Sequence, residues 1–112
     1  MFKGLGDMGK LMQQAQQMQQ KLAEAQERVA EIEAEGGAGA GLVRAVVSGK
    51  GELRAVEVDP SLMTEADREV LQDLIVAAVN DAHGRAQEAA QTELAKVTEG
   101  LALPPGMKLP FG

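Results

Sequence analysis

The chain has 112 residues and no cysteine, which allows one domain with a modest core and excludes disulfides and thiolate metal sites. Only 2% of the residues are aromatic, so stacking platforms for single-stranded nucleic acid are not expected. The formal net charge of −6 by itself disfavours a polyanionic partner. No apolar run approaches the length of a membrane span, and the first residues lack the apolar stretch of a signal peptide, so we expect a cytoplasmic protein without membrane contact.

The charge is unevenly distributed along the chain. Residues 1–22 contain three lysines and one aspartate, which gives this segment a net charge of +2. The net charge is −4 over residues 23–35 and −6 over residues 59–99. We interpret this as a mildly basic N-terminal arm on an acidic body. The alternative is that the acidic surface serves solubility only.

A long helix is predicted from near Asp7 to Glu35. Apolar residues repeat there in steps of three and four, which is typical of a helix that packs against another helix. We call these residues the seam; they are Met8, Leu11, Ala15, Met18, Leu22, Ala25, Val29 and Ile32. A helix of this length would span about 43 Å, whereas a domain this small has a radius of gyration near 13 Å. Part of the seam is therefore expected to pack on a second copy of the chain.

A small antiparallel sheet is predicted after this helix. The segment 36–41 reads Gly-Gly-Ala-Gly-Ala-Gly, which should end the helix in a flexible turn and hold at most a short edge strand near 35–40. Two β-rich runs joined by Gly49-Lys50-Gly51 then predict a hairpin over residues 42–58.

The register of this hairpin is open. A three-residue loop would place Val43 and Leu53 on one face of the sheet. Arg44 and Arg54 would then lie together on the other face. A two-residue loop would instead move Arg54 to the face of Val43 and Val56. A slip of one residue turns every side chain to the other face, so the sequence leaves open whether the two arginines form a patch.

A second helical segment is predicted over residues 64–99. Thr64 can cap it, and the acidic residues that follow favour the positive end of the helix dipole. An apolar stripe at helical spacing continues to about Val97. Gly84 lies within this stripe and costs about 1 kcal/mol relative to alanine, so either one helix or a helix pair fits. Residues 100–112 are expected to form an extended tail.

Catalytic chemistry finds no support in the sequence. His83 is the only histidine, so neither a histidine-based triad nor a two-histidine metal site can be built within one chain. The glycine-rich segment 36–41 lacks the Gly-Lys-Ser/Thr of a phosphate loop. We therefore expect a non-enzymatic protein with no cofactor, no metal site and no small-molecule substrate.

Binding to DNA is the activity that the basic arm suggests. Lys3, Lys10, Lys21 and the glutamines between them can donate hydrogen bonds to phosphate oxygens. The alternative is that the same glutamines form only the solvated face of a helix in a dimer.

Several motifs occur in order along nearly the whole chain. It opens with Met-Phe-Lys-Gly-Leu-Gly and continues with Lys-Leu-Met-Gln-Gln-Ala-Gln-Gln-Met-Gln at 10–19. Further motifs are Gly-Ala-Gly-Leu-Val at 39–43, Val-Glu-Val-Asp-Pro-Ser-Leu at 56–62, Asp-Leu-Ile-Val-Ala-Ala-Val-Asn-Asp-Ala at 73–82 and Leu-Pro-Pro-Gly-Met-Lys at 103–108. In combination they resemble the YbaB/EbfC family of bacterial nucleoid-associated proteins.

This resemblance implies one α+β domain over residues 1–112, with helices flanking a three-stranded antiparallel sheet. It divides the chain into a helical arm at 1–35, a sheet at 36–58, a helical segment at 64–99 and the tail. The third strand would come from the glycine-rich segment. Two subunits would form an intertwined, tweezer-like homodimer whose helical arms grip double-stranded DNA.

The resemblance also assigns DNA contact to the terminal helices. Carried over to this sequence, the candidates are Lys3, Lys10, Gln17, Lys21, Arg85 and Lys96. The function that follows is homodimeric binding of double-stranded DNA with little sequence specificity, in the cytoplasm at the nucleoid, with a part in nucleoid organisation and gene regulation. The alternative is a cytoplasmic dimeric adaptor that binds another protein and not DNA.

Overall fold

The computed structural model describes the backbone of residues 3–99 and the side chains of residues 8–98. The elements in chain order are α1 (Lys3–Glu31), β1 (Glu33–Ala38), β2 (Val43–Ser48), β3 (Leu53–Val58), a 3₁₀ turn (Pro60–Leu62) and α2 (Arg68–Glu99). The fold is α+β and elongated, with extents of 80 × 26 × 15 Å. The predicted tail, 100–112, lies outside the described residues.

The first helix ends earlier than the sequence predicted. It stops at Glu31, four residues before Glu35, because the chain turns there into the sheet. The backbone N–H of Ile32 donates to the carbonyl of Val29 at 3.1 Å, and the carbonyl of Ile32 accepts from the N–H of Gly49 at 3.0 Å. The second of these bonds ties the end of α1 to the β2–β3 turn.

The glycine-rich segment 36–41 is partly strand and partly turn: its first three residues belong to an edge strand, so the short edge strand predicted near 35–40 is present and begins earlier, at Glu33. Residues Glu33–Ala38 form β1, which pairs antiparallel with β2 along its whole length and makes β2 the central strand of the order β1-β2-β3. The third strand implied by the family resemblance is therefore present. Only the next residues turn: Gly39, Ala40 and Gly41 have φ values of 63°, 56° and 90°, the left-handed region that glycine favours.

The hairpin combines the two registers that the sequence left open. Its turn has a three-residue loop, in which Ser48 N–H donates to the carbonyl of Glu52 at 2.8 Å and Gly51 adopts a φ of 87°. A bulge then shifts the register between Val46 and Val47. Beyond the bulge, the pairs follow the other register, and the face of Val43 carries Leu53, Val56 and Val58 together. The pairs are Val47↔Leu53, Val46↔Ala55, Ala45↔Val56, Arg44↔Glu57 and Val43↔Val58.

The second helix is continuous from Arg68 to Glu99 and passes through Gly84 without a break. It begins four residues later than the predicted start at Thr64, which caps the turn before α2 and not the helix itself. The Thr64 hydroxyl accepts from the N–H of Asp67 at 3.2 Å and donates to the Asp67 carboxylate at 2.9 Å. These two bonds anchor the entry to α2.

The core lies between α2 and one face of the sheet. Helix α2 packs across β1 and β2 and then continues along the end of α1. The buried apolar residues are Ala25, Val43, Ala45, Val47, Leu62, Ala78, Ala82, Ala86 and Val97. Gly36 permits this packing, because a Cβ there would overlap the backbone of Ala82. The helix runs antiparallel to both β1 and α1, since Gly37 contacts Asp81 while Arg28 contacts Glu93 further along.

Candidate nucleic-acid interface

The first helix extends well past the second. Arg28 lies level with Glu93, so in an antiparallel pair the level of Glu99 corresponds to about Leu22. Residues 8–21, which we call the distal arm, therefore project about 20 Å beyond the described end of α2. The segment from Met8 to Leu22 contains no carboxylate.

Three of the predicted DNA-contacting residues lie on this projection or at its base. Lys10, Gln17 and Lys21 are all exposed. At about 100° per residue they fall within an arc of about 40° on the helix surface, with about 16 Å between Lys10 and Lys21 along the axis. The arrangement presents two positive charges and an amide on one side of an uncovered helix. The side chain of Lys3 lies outside the described residues.

The seam is buried only near the body of the molecule. Ala25 is fully buried, and Met18, Leu22, Val29 and Ile32 are half-buried. The remaining seam residues, Met8, Leu11 and Ala15, are exposed on the distal arm. The end of α1 that packs on α2 thus accounts for the inner part of the seam within one subunit.

The two candidates on α2 are both engaged in ion pairs. Arg85 Nε lies 3.2 Å from a carboxylate oxygen of Asp81, one turn earlier. Lys96 Nζ lies 3.0 Å from Glu93 Oε1. Because Arg28 is level with Glu93, Lys96 lies at about the level of Ala25, near the base of the distal arm, whereas Arg85 lies further into the body; each has a carboxylate that competes with phosphate for it.

Arg28 is a further basic residue near the base of the distal arm that was not among the predicted DNA contacts. Its Nε lies 2.9 Å from Glu93 Oε2, so Glu93 joins α1 to α2 and binds Arg28 and Lys96 at once. These two hydrogen bonds, that of Lys96 first, lower the pKa of Glu93 from its ordinary value. Arg28 follows Lys21 by seven residues and so shares its side of α1. That spacing was the signal that could have identified it.

Asp81 connects α2 to the first strand. Its carboxylate accepts from the backbone N–H of Gly37 at 3.1 Å and from Arg85, and these bonds lower its pKa.

An open cleft of about 250 Å³ lies beside Asp81, lined by Glu35, Arg44, Asp81, Arg85 and three glycines. Arg44 binds Glu57 at 2.8 Å and Glu35 at 3.5 Å, so the arginines of this cleft are balanced by carboxylates. Arg54 lies 3.8 Å from Glu52, and Arg44 and Arg54 therefore do not form a basic patch.

Comparison with known proteins identifies the family. The sequence model of the YbaB/EbfC DNA-binding family matches residues 3–101. The chain belongs to the YbaB/EbfC DNA-binding family. A solved structure that it resembles is that of the uncharacterized protein HP0035 from Helicobacter pylori, at 25% sequence identity and a TM-score of 0.67. The likeness covers 82% of this chain and 96% of that chain.

Membership of the YbaB/EbfC family makes DNA the partner that the comparisons support, and the family is one of DNA-binding proteins rather than enzymes. Among the residues that the structure describes, no group of three or more His, Cys, Asp or Glu side chains is placed to hold a metal ion. No helix in the described part of the chain is long and apolar enough to cross a membrane.

Proposed function

We propose that this protein is a non-enzymatic, homodimeric nucleoid-associated protein that binds double-stranded DNA with little sequence preference. The observation that carries the proposal is the distal arm. It projects past the body with Lys10, Gln17 and Lys21 exposed on one side and no carboxylate in the segment. Together with Lys3, these residues are the proposed phosphate contacts.

The chemistry of these side chains favours phosphates over base edges. Lysine supplies a flexible point charge, and glutamine supplies amide donors; both bind phosphate oxygens without regard to sequence. A helix with its side chains is about 10–12 Å wide, comparable with the width of the major groove of B-DNA. The distal arm can therefore lie along a duplex while the acidic body stays away from it.

The same proposal places Arg28, Arg85 and Lys96 in a secondary role. Each is held by a carboxylate within the subunit. DNA would have to exchange these ion pairs for phosphate contacts, which makes the three residues weaker contributors than the lysines of the distal arm. In the cell, such binding would occur in the cytoplasm at the nucleoid and would contribute to nucleoid organisation and gene regulation.

The test is the salt dependence of affinity for duplexes of random and defined sequence. Each neutralised phosphate releases counterions, so a plot of log K against log salt should be linear with a slope of about −0.9 per contact. Three lysines on each of two arms predict a slope of about −5. Affinity should differ little between sequences. Binding that is undetectable at low salt, or that does not weaken as salt increases, would contradict the proposal.

The acidic body favours a second candidate, a dimeric adaptor for another protein. Residues 23–99 carry the whole negative excess of the chain, and this surface would repel DNA. Pull-down from lysate separates the two functions. A stoichiometric protein partner that persists after nuclease treatment, with no affinity for purified duplex, would favour the adaptor.

A further inference from the structure

An apolar face of the distal arm is left open by the described part of the chain. Met8, Leu11 and Met12 are 59%, 62% and 64% exposed, and Ala15 is exposed beside them. At about 100° per residue these four side chains fall within an arc of about 100° on the helix surface. We call this surface the arm face; it consists of Met8, Leu11, Met12 and Ala15. Solvated helix faces are normally polar, so a contiguous apolar face indicates a contact surface.

The arm face is separate from the side of the helix that carries the basic residues. Its centre lies about 150° around the axis from the centre of the side with Lys10, Gln17 and Lys21. A partner that covers the arm face therefore leaves the proposed phosphate contacts free. The arm face itself has no charge with which to bind phosphate.

The arm face continues the side of α1 on which α2 packs. Leu11 and Ala15 lie within about 20° of Leu22 around the helix axis, and Leu22 is half-buried at the level where α2 ends. Ala25 and Val97 are both buried, so the two helices are still packed together two residues before the end of α2. A chain that continues in the direction of α2 therefore runs along the arm face.

The segment that follows α2 is long enough to cover this face. Residues 100–112, the tail, begin where α2 ends, at about the level of Leu22 on α1. Because α2 runs antiparallel to α1, the chain leaves α2 in the direction of Met8. An extended chain of 13 residues spans up to about 43 Å. This is about twice the 20 Å by which the distal arm projects.

The composition of the tail matches that of the arm face. Lys108 is its only charged residue, and five of its 13 residues have large apolar side chains. The large apolar residues are Leu101, Leu103, Met107, Leu109 and Phe111. The tail also contains three prolines, which restrict φ and so reduce the conformational entropy that is lost when the tail is held in one place. Contact between the two would remove apolar area from water on both sides.

We infer that the tail of each subunit packs along the arm face of the same subunit. The tail then takes over, beyond Glu99, the side of α1 that α2 covers nearer the body. A second copy of the distal arm fits this face less well. The segment from Met8 to Leu22 carries Lys10 and Lys21 and no carboxylate, so two arms in contact would bring like charges together. The inference goes beyond the proposed function and is independent of it, because it concerns contacts within one subunit.

The first experiment uses the absence of cysteine from the chain. The full-length variant Ala15→Cys/Ala102→Cys places one thiol on the arm face and one in the tail. Ala102 follows the end of α2 by three residues, which in an extended chain span about 10 Å, and Ala15 lies about 10 Å beyond the same level. Gln13→Cys/Ala102→Cys is the matched control. Gln13 is exposed at nearly the same level as Ala15 but about 160° away around the helix.

The inference predicts that the pair at positions 15 and 102 forms a disulfide within one chain. Under mild oxidation it should form at least about tenfold faster than the pair at positions 13 and 102, because the tail is held on one side of the arm. Non-reducing electrophoresis separates this product from a linked dimer. Equal rates for the two pairs would show that the tail is not held on the arm face, and a linked dimer as the main product would show that the arm face meets another copy. Either result overturns the inference.

The second experiment measures the cover of the arm face with single thiols. In full-length Ala15→Cys, the thiol should react with a maleimide at least about tenfold more slowly than that of Gln13→Cys, at every protein concentration. Addition of Leu101→Asp and Leu103→Asp should abolish this difference, because a carboxylate in the tail cannot be buried against an apolar face. Equal rates before this addition would overturn the inference. So would protection that survives the two tail substitutions or that appears only at high protein concentration, since another partner would then cover the face.

Discussion

Gly36 in β1 lies directly against the backbone of Ala82 in α2, with no room for a side chain between them. This contact sets the distance between the helix and the sheet. It also explains why a strand contains two adjacent glycines, because the absence of a side chain at Gly36 lets α2 approach β1 closely. The glycine that was expected to lie in a turn after the first helix instead permits close packing of α2 on the sheet.

Gly36→Ala should therefore destabilise the protein. The added Cβ would overlap the backbone of Ala82, and overpacking of this kind typically costs about 1–3 kcal/mol of unfolding free energy. Gly84→Ala is the matched control, because a Cβ at Gly84 meets nothing within 4 Å and the residue lies inside a continuous helix. It should raise stability by about 0.5–1 kcal/mol. Chemical denaturation measures both, and equal effects of the two substitutions would contradict this account.

The lysines of the distal arm should dominate the salt dependence of DNA binding. Substitution of Lys10 and Lys21 together by glutamine removes two exposed charges without changing the body. The slope of log K against log salt should become less negative by about 0.9 for each lysine lost from each bound arm. Fluorescence anisotropy with a labelled duplex gives this slope. Lys50→Gln, in the β2–β3 turn, should leave it unchanged; a loss at Lys50 equal to that at the distal arm would place the DNA elsewhere.

Glu93 should act against DNA binding. Its carboxylate holds both Arg28 and Lys96, so Glu93→Gln releases two cations near the base of the distal arm. Affinity for duplex DNA at low salt should rise, and the salt slope should steepen by up to about 1.8 per bound arm.

Glu88→Gln separates this effect from a general change in net charge. Glu88 lies on the same helix, and its carboxylate makes no ion pair among the described residues. Its removal should raise affinity less than that of Glu93. Lower affinity for Glu93→Gln than for the unmodified protein would show that the link between α1 and α2 matters more to DNA binding than the release of the two cations.

Asp81 should contribute to the pH dependence of stability. Its pKa is lowered in the folded state by the bonds from Gly37 and Arg85, whereas an unfolded aspartate titrates near 3.9. A lowered folded pKa stabilises the protein at pH values above the unfolded pKa, and this contribution is lost as the pH falls through the folded value. The midpoint temperature of thermal unfolding should therefore decrease as the pH is lowered below about 4. Asp81→Asn should show a smaller fall over this range than the unmodified chain, and Asp73→Asn, an exposed control on α2, should show the same fall as the unmodified chain.

The sequence predicted those parts of the fold that depend on local pattern. The periodicity of the seam and the turn glycines at 49 and 51 each act within a few residues, and each corresponds to an observed element. The strand β1 could not be predicted in the same way, because its glycines are required by a contact with Ala82, distant in sequence. The bulge near Arg54 could not be predicted from the local pattern either. It joins two registers: that of the three-residue loop, and that which places Val56 and Val58 on the face of Val43.

In the candidate site, too, the features that depend on local pattern could be predicted, and the contacts between residues distant in sequence could not. The exposure of Lys10, Gln17 and Lys21 follows from their positions off the seam, which the sequence shows. The ion pairs of Arg85 and Lys96 also lie within one turn of their partners, but the bond between Arg28 and Glu93 joins two helices. Its detection required knowledge of which parts of α1 and α2 lie side by side.

The continuity of α2 has a mechanical consequence. One unbroken helix contacts the sheet at its beginning and the base of the arm toward its end, so there is no joint between the two at which the arm could swing. Bending would have to occur in α1 itself, beyond the level of Glu99. In an assembly of two copies, the distance between the arms is then fixed by how the two subunits are joined. Ligands of a different width would be accommodated only by bending of the ligand or of the arm tips.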